Sequence, residues 1–392
     1  MDVPRPDQSV KVLLDATAVT APLSGIGRYT LELARHLPTT AGITGVSYLR
    51  GDRVEESFDV GAIPAPTAAG GFRQWLKPLL PYNLLLGPYR RRRARVLASS
   101  LSGYSDHIYY SPNFSVPPVS GLSVVTLHDL SVFHFPHFHP RDRVNYLKEQ
   151  IRHSVERADH LVTDSTFVRG ELLELFDMQA ERVTAVPLGV DAAFRPHTQS
   201  ELAAVMPRYG LQAGGYLLSV GTIEPRKNLQ GLLQAYQQLA PALRQQYPLV
   251  IAGAYGWNSG PLMTEIDRLH QLGEVIYLDY VPEHDLHALY AGAAVFAYFS
   301  YYEGFGLPVL EAMSSGVPVV CAASSALPEL CGGIALQVDP QDIQEMSLAL
   351  QRALEDDNWR RAAAESGLAR SSEYTWQRTA DALVDVFRGL AV

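Results

Sequence analysis

The chain has 392 residues, with 32 Lys+Arg against 41 Asp+Glu and a formal net charge of -9. At 47% hydrophobic and 19% charged it can bury a large core and is not disordered, and its acidic balance argues against a nucleic-acid binder, which carries a basic face. Two cysteines exclude a disulfide scaffold and suit a reducing compartment.

Taken in chain order, the first residues from Met1 to Asp7 contain no apolar signal core, so none is expected. Val10 to Asp15 reads as a buried strand, followed by a Gly-containing loop and an apolar-periodic helix near Tyr29 to Leu37. Further strands are predicted at Val46 to Leu49, His107 to Tyr110, Val124 to Leu127, His160 to Thr163 and Val183 to Val186, with helices at Arg143 to Arg157 and Phe167 to Phe176. This alternation means βαβ units and a parallel sheet. The run Pro187 to Pro196 breaks the pattern and reads as a linker.

A second series then begins, with strands at Tyr216 to Val220, Leu249 to Ala252, Val275 to Leu278, Ala294 to Ala297 and Pro318 to Ala322. Helices start near Asn228, Pro261, Glu283 and Leu307, and the last ones, Asp342 to Glu355, Trp359 to Glu365 and Trp376 to Leu390, have no strands between them. The expected architecture is α/β: two Rossmann-like, doubly wound domains facing a cleft, residues 1–192 and 193–373, with a helix at about 374–392 packing back on the first. Charge divides the same way, since residues 1–195 hold 21 Lys+Arg and 20 Asp+Glu whereas 196–392 hold 11 and 21. Two differently charged halves suit two domains with separate partners.

Three clusters could carry chemistry. Ser24-Gly-Ile-Gly-Arg-Tyr29 follows a strand and opens a helix, whose exposed N–H groups can bind an anion. A dinucleotide fingerprint would need a third glycine where Thr30 stands; Asp52, after the next strand, would be its ribose-binding acid, and an ordinary tight turn is the alternative. Gly221 to Leu229 places Arg226 and Lys227 between a strand end and a helix that Asn228 can cap, which makes a diphosphate clamp. Tyr302 to Met313 places Glu303 in a Gly-rich loop and Glu311 in the first turn of the helix beyond it. A capped helix with a solvated glutamate is the plain alternative there.

The spacing Glu303-x7-Glu311, with Gly-Phe-Gly-Leu-Pro between, resembles the retaining nucleotide-sugar glycosyltransferases of the GT-B fold, family 4. The resemblance runs through Ser24 to Tyr29, Val186 to Asp191, Gly221 to Asn228, Val250 to Gly253, Tyr302 to Met313, Ser315 to Val320 and Leu327 to Glu329, in the family's order. Within the family the chain is most similar to mannosyl- and rhamnosyltransferases that build bacterial O-antigen and related surface polysaccharides.

The resemblance implies that Arg226 and Lys227 hold the donor diphosphate, Glu311 the ribose hydroxyls and Glu303 the donor sugar, beside the N–H groups of Phe305, Gly306 and Leu307. It implies that Gly25 and Gly27 let the first loop approach the diphosphate and acceptor, that His128 faces the sugar from the first domain, and that Val281 in the Tyr280–Pro282 turn takes part in base recognition. The donor it implies is a GDP-sugar of mannose type, with UDP- or other nucleotide-sugars as alternatives, and the acceptor a saccharide or polyprenol-linked saccharide. Retention without a protein nucleophile is implied too, the departing phosphate taking the acceptor proton.

No Asp-x-Asp motif occurs, so neither a metal nor another cofactor is expected, although His134, His137 and His139 could be read as zinc ligands or as part of an aromatic acceptor-site loop. Residues 76–95, where Leu76, Leu79, Tyr82 and Tyr89 lead into Arg90 to Arg95, read equally as peripheral contact with an anionic leaflet and as an ordinary helix with a basic face. No apolar run spans a membrane, and the expected site of action is the cytoplasm or the inner face of the cell membrane. A nucleotide-sugar epimerase and a non-catalytic sugar-nucleotide sensor are the readings from other classes.

Overall fold

The computed structural model describes residues 9–391 except 21–22, 60–96, 98 and 258. Residues 76–95, weighed above for membrane contact, therefore lie outside the described residues. No described helix is long and apolar enough to cross a membrane.

The first sheet joins β1 (Val10–Asp15), β2 (Ile43–Arg50), β3 (Arg53–Glu55), β4 (Ile108–Ser111), β5 (Ser123–Leu127), β6 (His160–Thr163) and β7 (Val183–Ala185) in the order β3-β2-β1-β4-β5-β6-β7. All neighbours are parallel except β2 and β3. The second joins β8 (Leu217–Val220), β9 (Leu249–Ala252), β10 (Val275–Leu278), β11 (Val295–Tyr298), β12 (Val319–Ala322) and β13 (Leu336–Val338) in the all-parallel order β10-β9-β8-β11-β12-β13. Helices cover both faces, which is why β5, β6, β9, β11 and β12 are buried along their whole length and why β9, β11 and β12 read as unbroken apolar runs. Both sheets reverse direction of winding, at β1/β4 and at β8/β11, and a crevice opens outside the carboxyl ends of the strands there.

Two strands escaped the sequence reading. β3 has three half-exposed residues and forms a hairpin with β2, so Asp52 sits in a turn after Gly51 rather than in a βαβ unit. β13, with Gln337 at its centre, is too short to show a period and stands before the late helices.

The chain crosses between the sheets twice. After the 187–196 linker, the Trp376–Leu390 helix returns to the Gly25–His36 helix of the first half, burying Trp376, Thr379, Ala380, Leu383, Val384 and Phe387 on one stripe. Phe387 meets the Tyr110 ring edge-on at 5.3 Å, and the Thr379 hydroxyl donates to the Pro187 carbonyl at 2.8 Å. The two crossings lie side by side, the Val190 N–H donating to the Tyr374 carbonyl at 3.2 Å.

Candidate functional site

At the carboxyl end of β8 the chain makes a single tight turn over Pro225–Lys227, and Asn228 then caps the Leu229–Gln237 helix, its side chain accepting from the Gly231 N–H at 3.2 Å. Arg226 and Lys227 are thereby turned toward the end of β11. Across from them Glu303 is 7% exposed, its main-chain N–H donating to Ser325 Oγ at 2.8 Å. Lys227 Nζ donates to Glu303 Oε1 at 2.7 Å and to the Tyr298 hydroxyl at 2.6 Å, and the Tyr298 hydroxyl donates to the same Oε1 at 2.9 Å. Arg226 donates from Nη1 to Glu303 Oε2 at 2.9 Å and to the Tyr302 carbonyl at 2.7 Å, and from Nη2 to Glu224 Oε1 at 2.7 Å. Arg226 Nε is buried with no hydrogen-bond partner.

Burial would raise the Glu303 carboxyl, but Arg226 and Lys227 hold it down to about 2. Burial likewise opposes the Arg226 cation and is outweighed by Glu303 and Glu224, whereas for Lys227 burial prevails and lowers the ammonium despite Glu303. The cluster is thus two cations and two carboxylates in a nearly dry pocket, at the mouth of the Leu307–Ser314 helix. Phe305, Gly306 and Leu307, at the start of that helix, donate no backbone hydrogen bond to a described residue. Gly306 has φ +115, a conformation that the turn into this helix needs and that side chains resist.

Glu311 is the fifth residue of that helix, on its second turn and not its first as expected. Its carboxylate is already engaged by the first half of the chain. Arg28 Nη1 reaches Glu311 Oε1 at 2.9 Å, and Arg28 Nη2 reaches Glu283 Oε1 at 2.9 Å. Burial raises the Glu311 carboxyl, and Arg28 opposes it. Val281 lies in the turn before the Glu283–Ala291 helix, so it borders the same end of the cleft.

Gly25 and Gly27 lie in the first turn of the Gly25–His36 helix, which Ser24 caps. A Cβ on Gly25 would meet open space, and one on Gly27 would press on the Ala18 carbonyl at 2.9 Å, a contact within the first half. The group that reaches across is Arg28, the next residue, which sequence reasoning passed over; a cation directly after such a loop was the signal.

His128 stands at the end of β5, beside the cleft. Both its ring nitrogens are engaged by protein, Nδ1 by Asp164 at 2.8 Å and Nε2 by the Pro112 carbonyl at 2.8 Å. A carbonyl can only accept, so Nε2 carries a proton and donates. Burial lowers this imidazole, Asp164 raises it more, and the net shift is upward. What His128 offers the second half is its backbone: a Cβ on Gly304 would lie 1.8 Å from the His128 carbonyl oxygen, so only glycine allows this approach. Ser165 Oγ donates to the Gly304 carbonyl at 2.7 Å, the Leu130 N–H donates to the Tyr302 hydroxyl at 3.2 Å, and Glu329 accepts from the Thr166 and Phe167 N–H groups at 3.0 and 3.1 Å. The cleft is closed, with Tyr302 and Glu329 taking part from the motifs, and Asp164 and Tyr298 join the site from outside them.

The three histidines diverge. His134 Nε2 pairs with Glu171 at 3.2 Å, and His139 Nε2 meets Ser131 Oγ at 3.0 Å. Among the described residues no group of three or more His, Cys, Asp or Glu could hold a metal ion. The loop is an aromatic seam instead: Phe138 stacks on Tyr301 with centroids 5.4 Å apart, and Trp257 Nε1 donates to the Phe138 carbonyl at 2.7 Å.

Known proteins resemble the chain along its whole length. Residues 23–194 match the model for Glycosyltransferase Family 4, and residues 212–370 that for Glycosyl transferases group 1. O-antigen chain mannosyltransferase B of Escherichia coli is 37% identical over 379 residues, which is 97% of this chain and 100% of that enzyme. The Escherichia coli serotype-specific mannosyltransferase WbdA is 30% identical over 245 residues, 60% of this chain and 29% of that protein. Among solved structures, Anabaena Alr3699/HepE in complex with UDP and glucose superposes with a TM-score of 0.72 at 17% identity, covering 97% of this chain and 100% of its own. WaaG, a glycosyltransferase involved in lipopolysaccharide biosynthesis, superposes with a TM-score of 0.68 at 15% identity, covering 96% and 99%. These two likenesses establish the two-domain GT-B fold.

Proposed function

The chain belongs to the family 4 glycosyltransferases, and from that premise we propose that it transfers a mannose-type sugar from a GDP-sugar to a saccharide or lipid-linked saccharide acceptor in O-antigen assembly. The observation that carries this reading is the buried Arg226–Lys227–Glu303 cluster at the mouth of the Leu307–Ser314 helix. Negative charge grows on the diphosphate as the glycosidic bond breaks. Fixed cations and N–H donors in a dry pocket stabilise that charge more in the transition state than in the ground state. The partnerless Arg226 Nε and the N–H groups of Phe305 to Leu307 are the donors left over for it.

Glu303, ionised throughout the physiological range, orients the donor sugar hydroxyls and keeps the two cations charged. Glu311 accepts from the ribose, for which Arg28 must yield. Likeness to a mannosyltransferase over both full chains supports the sugar. GDP as the carrier, and retention with the phosphate accepting the acceptor proton, follow the family resemblance and are part of the proposal. So is action at the cytoplasmic face of the membrane with the arginines of 90–95 against anionic lipid.

The test is incubation with GDP-mannose, GDP-rhamnose and UDP-, ADP- and dTDP-sugars, with and without mannose-terminated and lipid-linked acceptors. The expected result is acceptor-dependent release of GDP and a product whose new anomeric centre, read by NMR, matches the donor's. Silence across all donors with all acceptors refutes the reading.

A further inference from the structure

The two halves close on each other at Gly304. The His128 carbonyl oxygen lies so near that a Cβ there would meet it at 1.8 Å, and the Ser165 hydroxyl donates to the Gly304 carbonyl at 2.7 Å. Gly304 directly follows Glu303, whose carboxylate gathers Arg226 and Lys227. A planar peptide couples the two residues, so a shift of Gly304 is passed to the cluster. The two groups that hold Gly304 come from neighbouring strands. β5 and β6 run parallel with Leu127 opposite Thr163, so His128 and Asp164 leave the sheet side by side, and Ser165 comes next.

Asp164 ties these two strand ends together. It is 3% exposed, and its Oδ2 meets His128 Nδ1 at 2.8 Å, while the Pro112 carbonyl accepts from Nε2 at 2.8 Å. The rings of Tyr29 and Phe114 box the imidazole edge-on, with centroids 5.0 and 6.0 Å away. Phe114 is itself at φ +48, a costly conformation for a non-glycine residue, with the Ser154 hydroxyl donating to its carbonyl at 2.7 Å. Gripped at both nitrogens and boxed by two rings, the imidazole cannot turn. With the ring fixed, the main chain that carries the His128 carbonyl is fixed as well.

Stability alone does not account for this arrangement. The other oxygen of Asp164, Oδ1, is buried with no hydrogen-bond partner among the described residues, and a buried polar atom left unpaired costs free energy. Apolar side chains of the same volume often match or exceed a buried ion pair in stability. What they cannot supply is a directed bond to one ring nitrogen.

We infer that Asp164 is a positioning residue for the transfer: by pinning His128 it keeps the His128 carbonyl and the Ser165 hydroxyl in register on Gly304, and thereby sets Glu303 against the donor sugar. This role presupposes the transferase reading above and falls to a residue that no motif contains. The test compares Asp164→Ala with Asp164→Asn, whose amide can still donate to His128 Nδ1 while Nε2 keeps its proton for Pro112. Steady-state transfer from GDP-mannose and small-angle scattering of the donor-free protein are read on both. Asp164→Ala should lower kcat at least tenfold and enlarge the radius of gyration, while the KM for GDP-mannose, set by the second half, stays within twofold. Asp164→Asn should recover at least half of the wild-type kcat, and the wild-type radius. Ser165→Ala, which releases the other hold on Gly304, should show the same split and, combined with Asp164→Ala, cost less than the product of the two single losses. Wild-type kcat or radius in folded Asp164→Ala, a donor KM that moves in place of kcat, or an Asp164→Asn no better than Asp164→Ala overturns the assignment. Should Asp164→Ala not fold, wild-type kcat in Ser165→Ala overturns it. If the wild type transfers from no donor, the transferase reading falls, and the radius of the Asp164 variants still decides whether Asp164 holds the halves together.

Discussion

Replacing Glu303 with glutamine keeps its volume and removes one charge from between two buried cations. Arg226 would retain Glu224 at 2.7 Å, but Lys227, whose side chain is 13% exposed, would keep only neutral acceptors, the Tyr298 hydroxyl at 2.6 Å and the new amide. Breaking a buried pair by removing one partner costs about 3–5 kcal/mol, because the other charge is left uncompensated. The carboxyl's own displacement agrees. Its drop from 4.5 to about 2 corresponds to about 3 kcal/mol at 1.36 kcal/mol per unit. For a domain of 150–250 residues, 1 kcal/mol moves Tm by about 2–4 °C, so the variant should melt roughly 6–20 °C below the wild type at pH 7. Calorimetry with and without GDP reads the effect: the diphosphate restores negative charge, so GDP should raise the variant's Tm more than the wild type's. Glu303 has a depressed folded value, so its contribution is full above pH 4.5 and fades as pH falls toward 2; the variant's stability should be flatter across that window. The double variant Glu303→Gln/Lys227→Met should recover part of the loss. A folded Glu303→Gln protein melting within 2 °C of the wild type, or a double variant no more stable than the single one, would refute the reasoning.

Three further outcomes are expected. Lys227→Ala should lower kcat/KM at least tenfold, about 1.4 kcal/mol in transition-state stabilisation, and an undiminished rate in folded protein would sink its assignment to the diphosphate. Gly304→Ala, whose Cβ would collide with the His128 carbonyl, should hold the cleft open, increasing the radius of gyration by small-angle scattering and suppressing transfer; an unchanged radius would contradict the closed approach. Burial depresses His139 to about 4, so the folded protein keeps it neutral where the unfolded chain protonates near 6.5. Its contribution is full above pH 6.5 and lost as pH falls toward 4, and His139→Gln should flatten Tm against pH in that interval, which a parallel pair of curves would disprove.

The two Rossmann-like halves were legible because strands such as Leu249 to Ala252 and Val319 to Ala322 are buried on both faces and leave unbroken apolar runs. β3 and β13 were not, since three residues cannot display a period of two. That Arg226, Lys227 and Glu303 meet was legible because each stands just beyond the carboxyl end of a strand, close to a glycine in sequence. Arg28 and Asp164 were hidden for a different reason. Each acts on a residue more than thirty positions away, Arg28 on Glu311 and Asp164 on His128, and only packing decides such partners. The contact between Gly304 and the His128 carbonyl involves no side chain of chemical character, so no residue type could announce it.

The paired crossings at Val190 and Thr375 bear on proteolysis. After a nick at Val190 the first half is still held to the second by the packed Trp376–Leu390 helix, so cleavage there should not separate the halves under native conditions, whereas denaturant should. Neither half is self-sufficient as a gene fragment. A polypeptide ending at residue 192 would expose the apolar floor, including Tyr110, on which Phe387 and Leu383 now lie, and the remainder would carry a fifteen-residue amphipathic helix with nothing to cover its stripe. The two halves of this enzyme are separate in chemistry and inseparable in folding.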